Sequence, residues 1–184
     1  MELNWKELLS SKKGNFYLIT SRERDIDIFA GRISHNEDKV FAKIIRGERC
    51  GTSESLNQEF GAALQFPYYS VADNWSGFDD CINDLGFNLP SINQGTYVYN
   101  LLITNFNKVL SNTPRDLNIF LDILKDTISN LAKEKRNNIP NRAPIMLNIL
   151  LHCEPENEKK CKEILEKEGI QQVLRILKSF DDIK

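Results

Sequence analysis

KVFAKIIRGERC at 39–50, SLNQEFGAALQFPYY at 55–69 and DNWSGFDDCINDL at 73–85 together decide how this chain folds. In the first segment Val40, Phe41, Ile44 and Ile45 are β-branched or aromatic and Gly47 follows, which predicts a strand over 39–46. Thr52-Ser53-Glu54 then opens a helix, with Ser53 as the expected cap, and Leu56, Phe60, Ala63 and Leu64 recur at helical spacing. Phe66-Pro67 ends that helix, because proline disfavours helical backbone in the residue before it. The loop 68–73 holds two adjacent tyrosines. A second helix over about 74–85 places Trp75, Phe78, Ile82 and Leu85 on one face. Asp79, Asp80 and Asp84 fall on and beside the opposite face, with Asp80 and Asp84 one turn apart, and Gly86 is the expected C-cap.

On the N-terminal side, Trp5, Leu8 and Leu9 give 4–10 the pattern of a short helix, and NFYLIT at 15–20 reads as a strand. SRERDIDIFAGRI, at 21–33, alternates charged and apolar residues and fits either a strand or a helix; 34–38 reads as a polar turn. On the C-terminal side, YVYNLLITNF at 97–106 is a strand and Pro114-Arg115-Asp116 opens a long helix to about 133. A loop over 137–144 leads to IMLNILL at 145–151, whose unbroken apolar run suits a strand covered on both faces. The tail from 157 reads as helical, broken near Gly169, its second piece packed through Ile170, Val173, Leu174 and Leu177. From 39 to 151 the order is strand, helix, helix, strand, helix, strand, which predicts an α/β domain with a mainly parallel sheet.

The chain has 184 residues with 24 Lys and Arg against 26 Asp and Glu, a balance that disfavours nucleic-acid binding through a bulk basic surface. Between Cys50 and Asn107 there is no Lys or Arg, but there are six carboxylates: Glu54, Glu59, Asp73, Asp79, Asp80 and Asp84. Such a stretch is either a surface that meets something basic or a buried segment poor in charge. No apolar run reaches the ~18 residues of a membrane span, and the first residues do not read as a signal peptide, so a cytoplasmic chain is expected. Cys50, Cys81, Cys153 and Cys161 include no CxxC pair, so reduced thiols and no metal or cofactor are expected. GxGxxG, GxxxxGK[ST] and GxSxG are all absent. His35 and His152 are the two histidines; incidental positions explain both more simply than an acid–base pair.

These three segments resemble the barstar family of intracellular ribonuclease inhibitors. The resemblance lies in a strand ending near a glycine, a helix, a Pro-Tyr-Tyr loop and an Asn-Trp helix bearing acids, in that order. It implies an α/β fold with a small three-stranded, mainly parallel sheet flanked by helices. Residues 39–152 would form that domain, 1–38 an N-terminal extension with an extra strand, and 153–184 a C-terminal helical extension. It further implies a non-enzymatic protein that plugs a cationic nuclease active site, with carboxylates standing where phosphates would bind. Asp80 matches the main phosphate-mimicking position, Tyr68 and Tyr69 the tyrosine pair, and Asn74 the residue after the loop. Ser76 stands where the family usually has an aspartate. Asp73 is a candidate for the missing carboxylate, and Asp79 adds an acid beside Asp80. The expected binding set is therefore Tyr68, Tyr69, Asp73, Asn74, Ser76, Asp79 and Asp80, with no catalytic residue, no membrane and no nucleic acid as a direct partner.

Three functions follow from this reading. The first is stoichiometric inhibition of a secreted or toxin-type bacterial ribonuclease. The second keeps the fold but binds a different basic protein, because Ser76 and the loop YYSVADN depart from the family pattern. The third is an enzyme using His35 or His152. Beside these stand plainer readings, in which the tyrosines pack their own loop and the acids form an ordinary solvated helix face. Trp75 and Phe78 are expected in the core, and Cys81 as a buried small residue.

Overall fold

A computed structural model describes residues 14–36, 40–66, 74–85, 97–133, 144–170 and 174–178, with backbone alone for 33–36 and 174–178. Five strands, β1 (Phe16–Thr20), β2 (Val40–Arg46), β3 (Tyr97–Thr104), β4 (Ile145–Cys153) and β5 (Leu174–Lys178), form one parallel sheet in the order β2-β3-β4-β1-β5. The expected three strands, β2, β3 and β4, are extended by the expected N-terminal strand, β1, beside β4, and by β5 beyond it on β1. The helices are α1 (Glu23–Asn36), α2 (Ser53–Leu64), α3 (Trp75–Asn83), α4 (Leu117–Leu131) and α5 (Glu158–Lys167).

Strand order decides which face each helix covers. The crossover from β1 to β2 runs one way across the sheet, whereas those from β2 to β3, β3 to β4 and β4 to β5 run the other way. Right-handed crossovers therefore put α1 on one face and the remaining helices on the other. Two cores result. Ile26, Phe29 and Ala30 of α1 pack with Tyr17, Ile19, Val98, Leu102 and Leu150. Leu56 and Phe60 of α2, Phe78 and Ile82 of α3, and Phe120, Leu121 and Leu124 of α4 pack with Leu18, Leu101, Ile103, Ile149 and Leu151. Between β3 and β4, the register partners Asn100 and Asn148 are fully buried, and the Asn148 amide donates to Asn100 Oδ1 at 3.0 Å. Buried amides paired this way penalise any slip of register, which would strand them among apolar side chains.

Several local expectations are corrected. The ambiguous stretch 21–33 is helical: Ile26, Phe29 and Ala30 share one buried face, and Ile28, which strand alternation would bury with Ile26, is 54% exposed. The helix runs on through 34–36, where a turn was expected. Thr52, not Ser53, caps α2; its extended backbone lets Oγ1 accept from Ser55 N–H at 3.2 Å while Ser55 Oγ accepts from Thr52 N–H at 3.0 Å. Residues 114–116 form a 3-10 turn ahead of α4, and Phe106 lies in another just past β3. β4 continues to Cys153, so His152 lies inside a strand, because β1 supplies backbone partners as far as Thr20. The largest correction is in the tail. Residues 158–167 are helical, but 174–178 form β5 against β1, with Leu174 opposite Phe16 and Lys178 opposite Thr20. The apolar spacing of Val173, Leu174 and Leu177 fits a helix, but the open edge of β1 offers a row of unpaired backbone groups that a strand satisfies and a helix cannot. The expected helix at 4–10, the loop 137–144 apart from Pro144, and the C-cap at Gly86 lie outside the described residues.

Candidate partner-binding surface

Phe78 fixes where α3 sits. Its ring lies 5.1 Å from Phe60, 5.8 Å from Trp75 and 5.9 Å from Phe120, centroid to centroid, so one side chain joins α3 to α2 and α4. The pairs with Phe60 and Trp75 are edge-on, and such pairs contribute ~0.5–1.5 kcal/mol each beyond simple burial. Phe78, Cys81 and Ile82 are buried and Trp75 is half-buried against the same core, as the apolar stripe predicts. At the start of α3, Asn74 has extended backbone, and its Oδ1 accepts from Gly77 N–H at 2.6 Å. Asn74 is thus exposed but spends its side-chain oxygen on capping the helix.

With one face of α3 committed to the core, Ser76, Asp80 and Asp84 are exposed. Ser76 and Asp80 are one turn apart on one surface. None of the ion pairs among the described residues engages Asp80. Asp79 differs. It is half-buried, and Oδ1 accepts from the Asn83 amide at 2.8 Å, while Asn130 of α4 donates to Asn83 Oδ1 at 3.3 Å. Burial raises the Asp79 carboxyl above the usual carboxylate range, and the negative charges of Asp80 and Asp126 add to that rise against the Asn83 hydrogen bond. Asp79 is therefore a strut between α3 and α4 more than a free contact. Of the expected set, Asn74, Ser76, Asp79 and Asp80 come together on α3; Tyr68, Tyr69 and Asp73 lie outside the described residues.

The cation-free segment is not one surface. Glu59 is used internally: Oε1 accepts from Arg46 N–H at 3.1 Å and Oε2 pairs with Arg49 at 3.7 Å. It belongs to a second polar cluster, at the carboxyl ends of the strands, that sequence reading missed. There Arg46 reaches Glu23 at 3.3 Å and Asp27 at 3.4 Å, and the Asn105 amide donates to Glu23 at 3.0 Å and to Glu48 at 3.2 Å. Burial works against ionisation of Glu48, but a backbone N–H, the Asn105 amide, the Arg46 charge and the Thr104 hydroxyl outweigh it and hold its carboxyl below the usual range. Glu154 accepts from Glu23 N–H at 2.9 Å, so a carboxylate of the chain itself caps the first turn of α1.

His152 ties this cluster together. It is fully buried, with Nε2 2.8 Å from the Ser21 carbonyl and Nδ1 accepting from Asn105 N–H at 3.4 Å. Both ring nitrogens are occupied in joining β1, β3 and β4. Spacing in the sequence carries no trace of this, because Ser21, Asn105 and His152 meet only through the sheet order. Cys81 is buried as expected, and burial together with the charges of Glu59 and Glu48 pushes the Cys50 thiol up to about 12. Among the described residues no group of three or more His, Cys, Asp or Glu is placed to hold a metal ion, and no helix is long and apolar enough to cross a membrane.

Comparison with known proteins bears on both the sheet and the helix. A family model described as Barstar (barnase inhibitor) matches residues 40–139, which run from β2 through α4 and include all of α3. No curated protein matches the chain significantly. Among solved structures, a chain of the Drosophila ORC bound to GC-rich DNA and Cdc6 is similar at 8% identity and a TM-score of 0.58, over 93% of this chain and 26% of that one. The Aeropyrum pernix ORC2 protein, in ADPNP-ADP complexes, is similar at 10% identity and a TM-score of 0.57, over 95% of this chain and 44% of that one. The chain thus spans under half the length of these structural neighbours, and at such identity the likeness is one of fold alone.

Proposed function

Because this chain belongs to the barstar (barnase inhibitor) family, we propose that it is a stoichiometric protein inhibitor of a bacterial ribonuclease, acting in the cytoplasm. It works without catalytic chemistry. The observation that carries this reading is the placement of Asp80, exposed on a helix whose other face is locked into the core by Phe78. A ribonuclease holds phosphate with a cationic cleft, and a rigidly presented carboxylate enters such a cleft at little entropic cost. Tyr68 and Tyr69, next to α3 in the sequence, supply residues of the type that dominates interface energetics.

The test is titration into a barnase-type ribonuclease while RNA cleavage is followed at low and at physiological salt. Inhibition saturating at one-to-one, weaker as salt rises and lost with Asp80→Ala, supports the reading. Equal inhibition by Asp80→Ala and the parent overturns the assignment of Asp80.

A second reading has its own support. Ser76 is exposed one turn before Asp80, where the family pattern leads one to expect another aspartate, so the surface offers a hydroxyl in place of a charge. This favours a basic protein partner other than a barnase-type enzyme, in an immunity or regulatory role. Absence of inhibition, with retained capture of a basic protein that Asp80→Ala abolishes, would select it.

A further inference from the structure

β2 is an outer strand of the sheet, paired with β3 on one side only. Successive residues of a parallel strand turn their backbone groups to opposite sides. The carbonyls of Phe41 and Ile45 face β3, where the Asn100 amide and the Thr104 hydroxyl reach them at 3.4 Å. The Arg46 N–H points the other way and is taken by Glu59 Oε1 at 3.1 Å. Val40, Ala42 and Ile44 share the parity of Arg46, so their N–H and C=O groups line the outer edge. Among the described residues, none bonds to them there. The burial of β2 is unfinished too: Phe41, Ala42, Lys43 and Ile44 are half-buried, whereas every residue of β3 and β4 is buried. An apolar edge with unpaired backbone groups is a template for another strand.

Which strand fits is decided by the residues of the edge. Glu59 closes it at Arg46, so 40–44 is what remains. One helical turn after Glu59, α2 carries Ala62 and Ala63, so no long side chain follows Glu59 on that side of the helix. Lys43 is the one charge between 40 and 45 and has no ion-pair partner among the described residues. A lysine in an edge strand usually repels a like strand. Antiparallel pairing of two copies centred on Lys43 would set two lysines directly opposite, and would need the Arg46 N–H that Glu59 holds. Centring it on Ala42 avoids both. Ala42 then faces Ala42 and Val40 faces Ile44, each pair exchanging both backbone bonds. On the α2 side of the sheet, where Phe41 and Ile45 lie, Lys43 of one copy comes opposite Phe41 of the other, and its ammonium meets an aromatic face. That ring is held in place by Tyr99, stacked at 5.9 Å, and by Tyr97 at 6.1 Å. The edge is thus complementary to itself in one register.

We propose that two copies of this chain pair antiparallel through β2, centred on Ala42, so that one sheet runs through both. Contact through residues 40–44 lies at the low end of interface sizes, so the dimer is reversible and forms at ~10–100 µM. It uses no residue of α3, leaves Asp80 of each copy exposed, and does not depend on the ribonuclease reading.

Sedimentation equilibrium of the full chain over a concentration series tests this, with Ala42→Pro beside the parent. Proline at 42 removes the N–H at the centre of the pairing and no bond to β3, a position an edge strand tolerates. The parent is expected to pass from monomer to dimer, and Ala42→Pro to associate on the order of tenfold more weakly or worse. Mild oxidation of Ala42→Cys and of Lys43→Cys reads the register, since the four native cysteines are buried. Position 42 meets itself across the axis within disulfide range, whereas position 43 meets 41, so Ala42→Cys should cross-link on the order of tenfold faster. A parent that stays monomeric up to ~1 mM, beyond the range of weak specific pairs, would overturn the proposal and leave the edge to a different chain. Undiminished dimer in a folded Ala42→Pro, or cross-linking at 43 as fast as at 42, would overturn it as well. Should Ala42→Pro fail to fold, the parent's dimerisation and the two cysteine variants decide.

Discussion

Asn83 donates its side-chain amide to the Asp79 carboxylate at 2.8 Å, one turn back along α3, and accepts from Asn130 of α4 at 3.3 Å. α3 is thus braced on its neighbour by a chain of three polar side chains, and the acid in that chain is also crowded by Asp80 and Asp126. The brace orients Asp80 outward while taking Asp79 out of the surface.

Asp79→Asn is expected to stabilise the protein slightly at neutral pH. An Asn oxygen still accepts from Asn83, and the repulsion from Asp80 and Asp126 is gone. The gain is ~0.2–0.5 kcal/mol, typical of like-charge relief on helix surfaces, and shrinks with added salt. Asp79→Ala breaks the brace and lowers stability instead. Urea unfolding of both variants at two salt concentrations checks the opposite signs.

Glu48 and Asp79 pull in opposite directions as pH falls. The lowered folded-state pKa of Glu48 means that its contribution is fully present above the unfolded carboxylate value and is lost as pH drops through the folded one. The raised pKa of Asp79 means that its ionisation penalises the folded state at neutral pH, and acidification relieves that penalty. Glu48→Gln should therefore cost about 1 kcal/mol near pH 7, a value discounted for its partial exposure. The loss should narrow as the pH is taken toward 3. A difference between variant and parent that is constant over that range would show that the charge of Glu48 is not what matters.

Thr52→Ala removes the reciprocal cap of α2. The expected loss is ~1 kcal/mol, with Thr52→Ser close to the parent because the hydroxyl is retained. Thermal unfolding separates the two. Ser53→Ala, at the residue the sequence reading favoured as the cap, should be nearly neutral.

Gly47→Ala tests a close approach of backbone to backbone. A Cβ there would run into the Thr104 carbonyl oxygen and come within 3.0 Å of the Asn105 oxygen, just where β2 and β3 end side by side. Neither neighbour is a flexible side chain, so the strands must separate. A loss of about 3 kcal/mol or more is expected, at the upper end for single substitutions, read as a drop in the urea midpoint.

His152→Ala empties a buried site and leaves the Ser21 carbonyl and the Asn105 N–H without their partner. Together these cost about 3 kcal/mol or more, with no effect on partner affinity in the fraction that remains folded. Calorimetry, together with binding measured well below the transition, distinguishes this from a role in docking.

Much of the site was legible in the sequence because α3 is a local structure. Its stripe of Trp75, Phe78 and Ile82 needs only the helical period to predict a buried face, and Asp80 follows as exposed. The same period fixed α2 and α4, and the β-branched and apolar runs fixed β2, β3 and β4. What failed were segments whose state depends on distant backbone. RDIDI alternates like a strand yet is helical, since the Ile26, Phe29 and Ala30 face meets the sheet surface carrying Tyr17 and Leu150. Residues 174–178 have a helical spacing of apolar groups yet pair with β1, because unsatisfied hydrogen-bonding groups on a strand edge outweigh a weak local preference. The polar cluster of Arg46, Glu48, Asn105 and His152 has no sequence pattern, since its members come from three strands and the turns after them. By itself, then, the sequence determined α2 to α5, the strands β1 to β4 and the acid face of α3, all of which rest on local periodicity or on short apolar runs. Only the tertiary structure decided the five-strand order and the burial of His152, because contacts between residues far apart in the chain are set by packing and backbone pairing that no local spacing encodes.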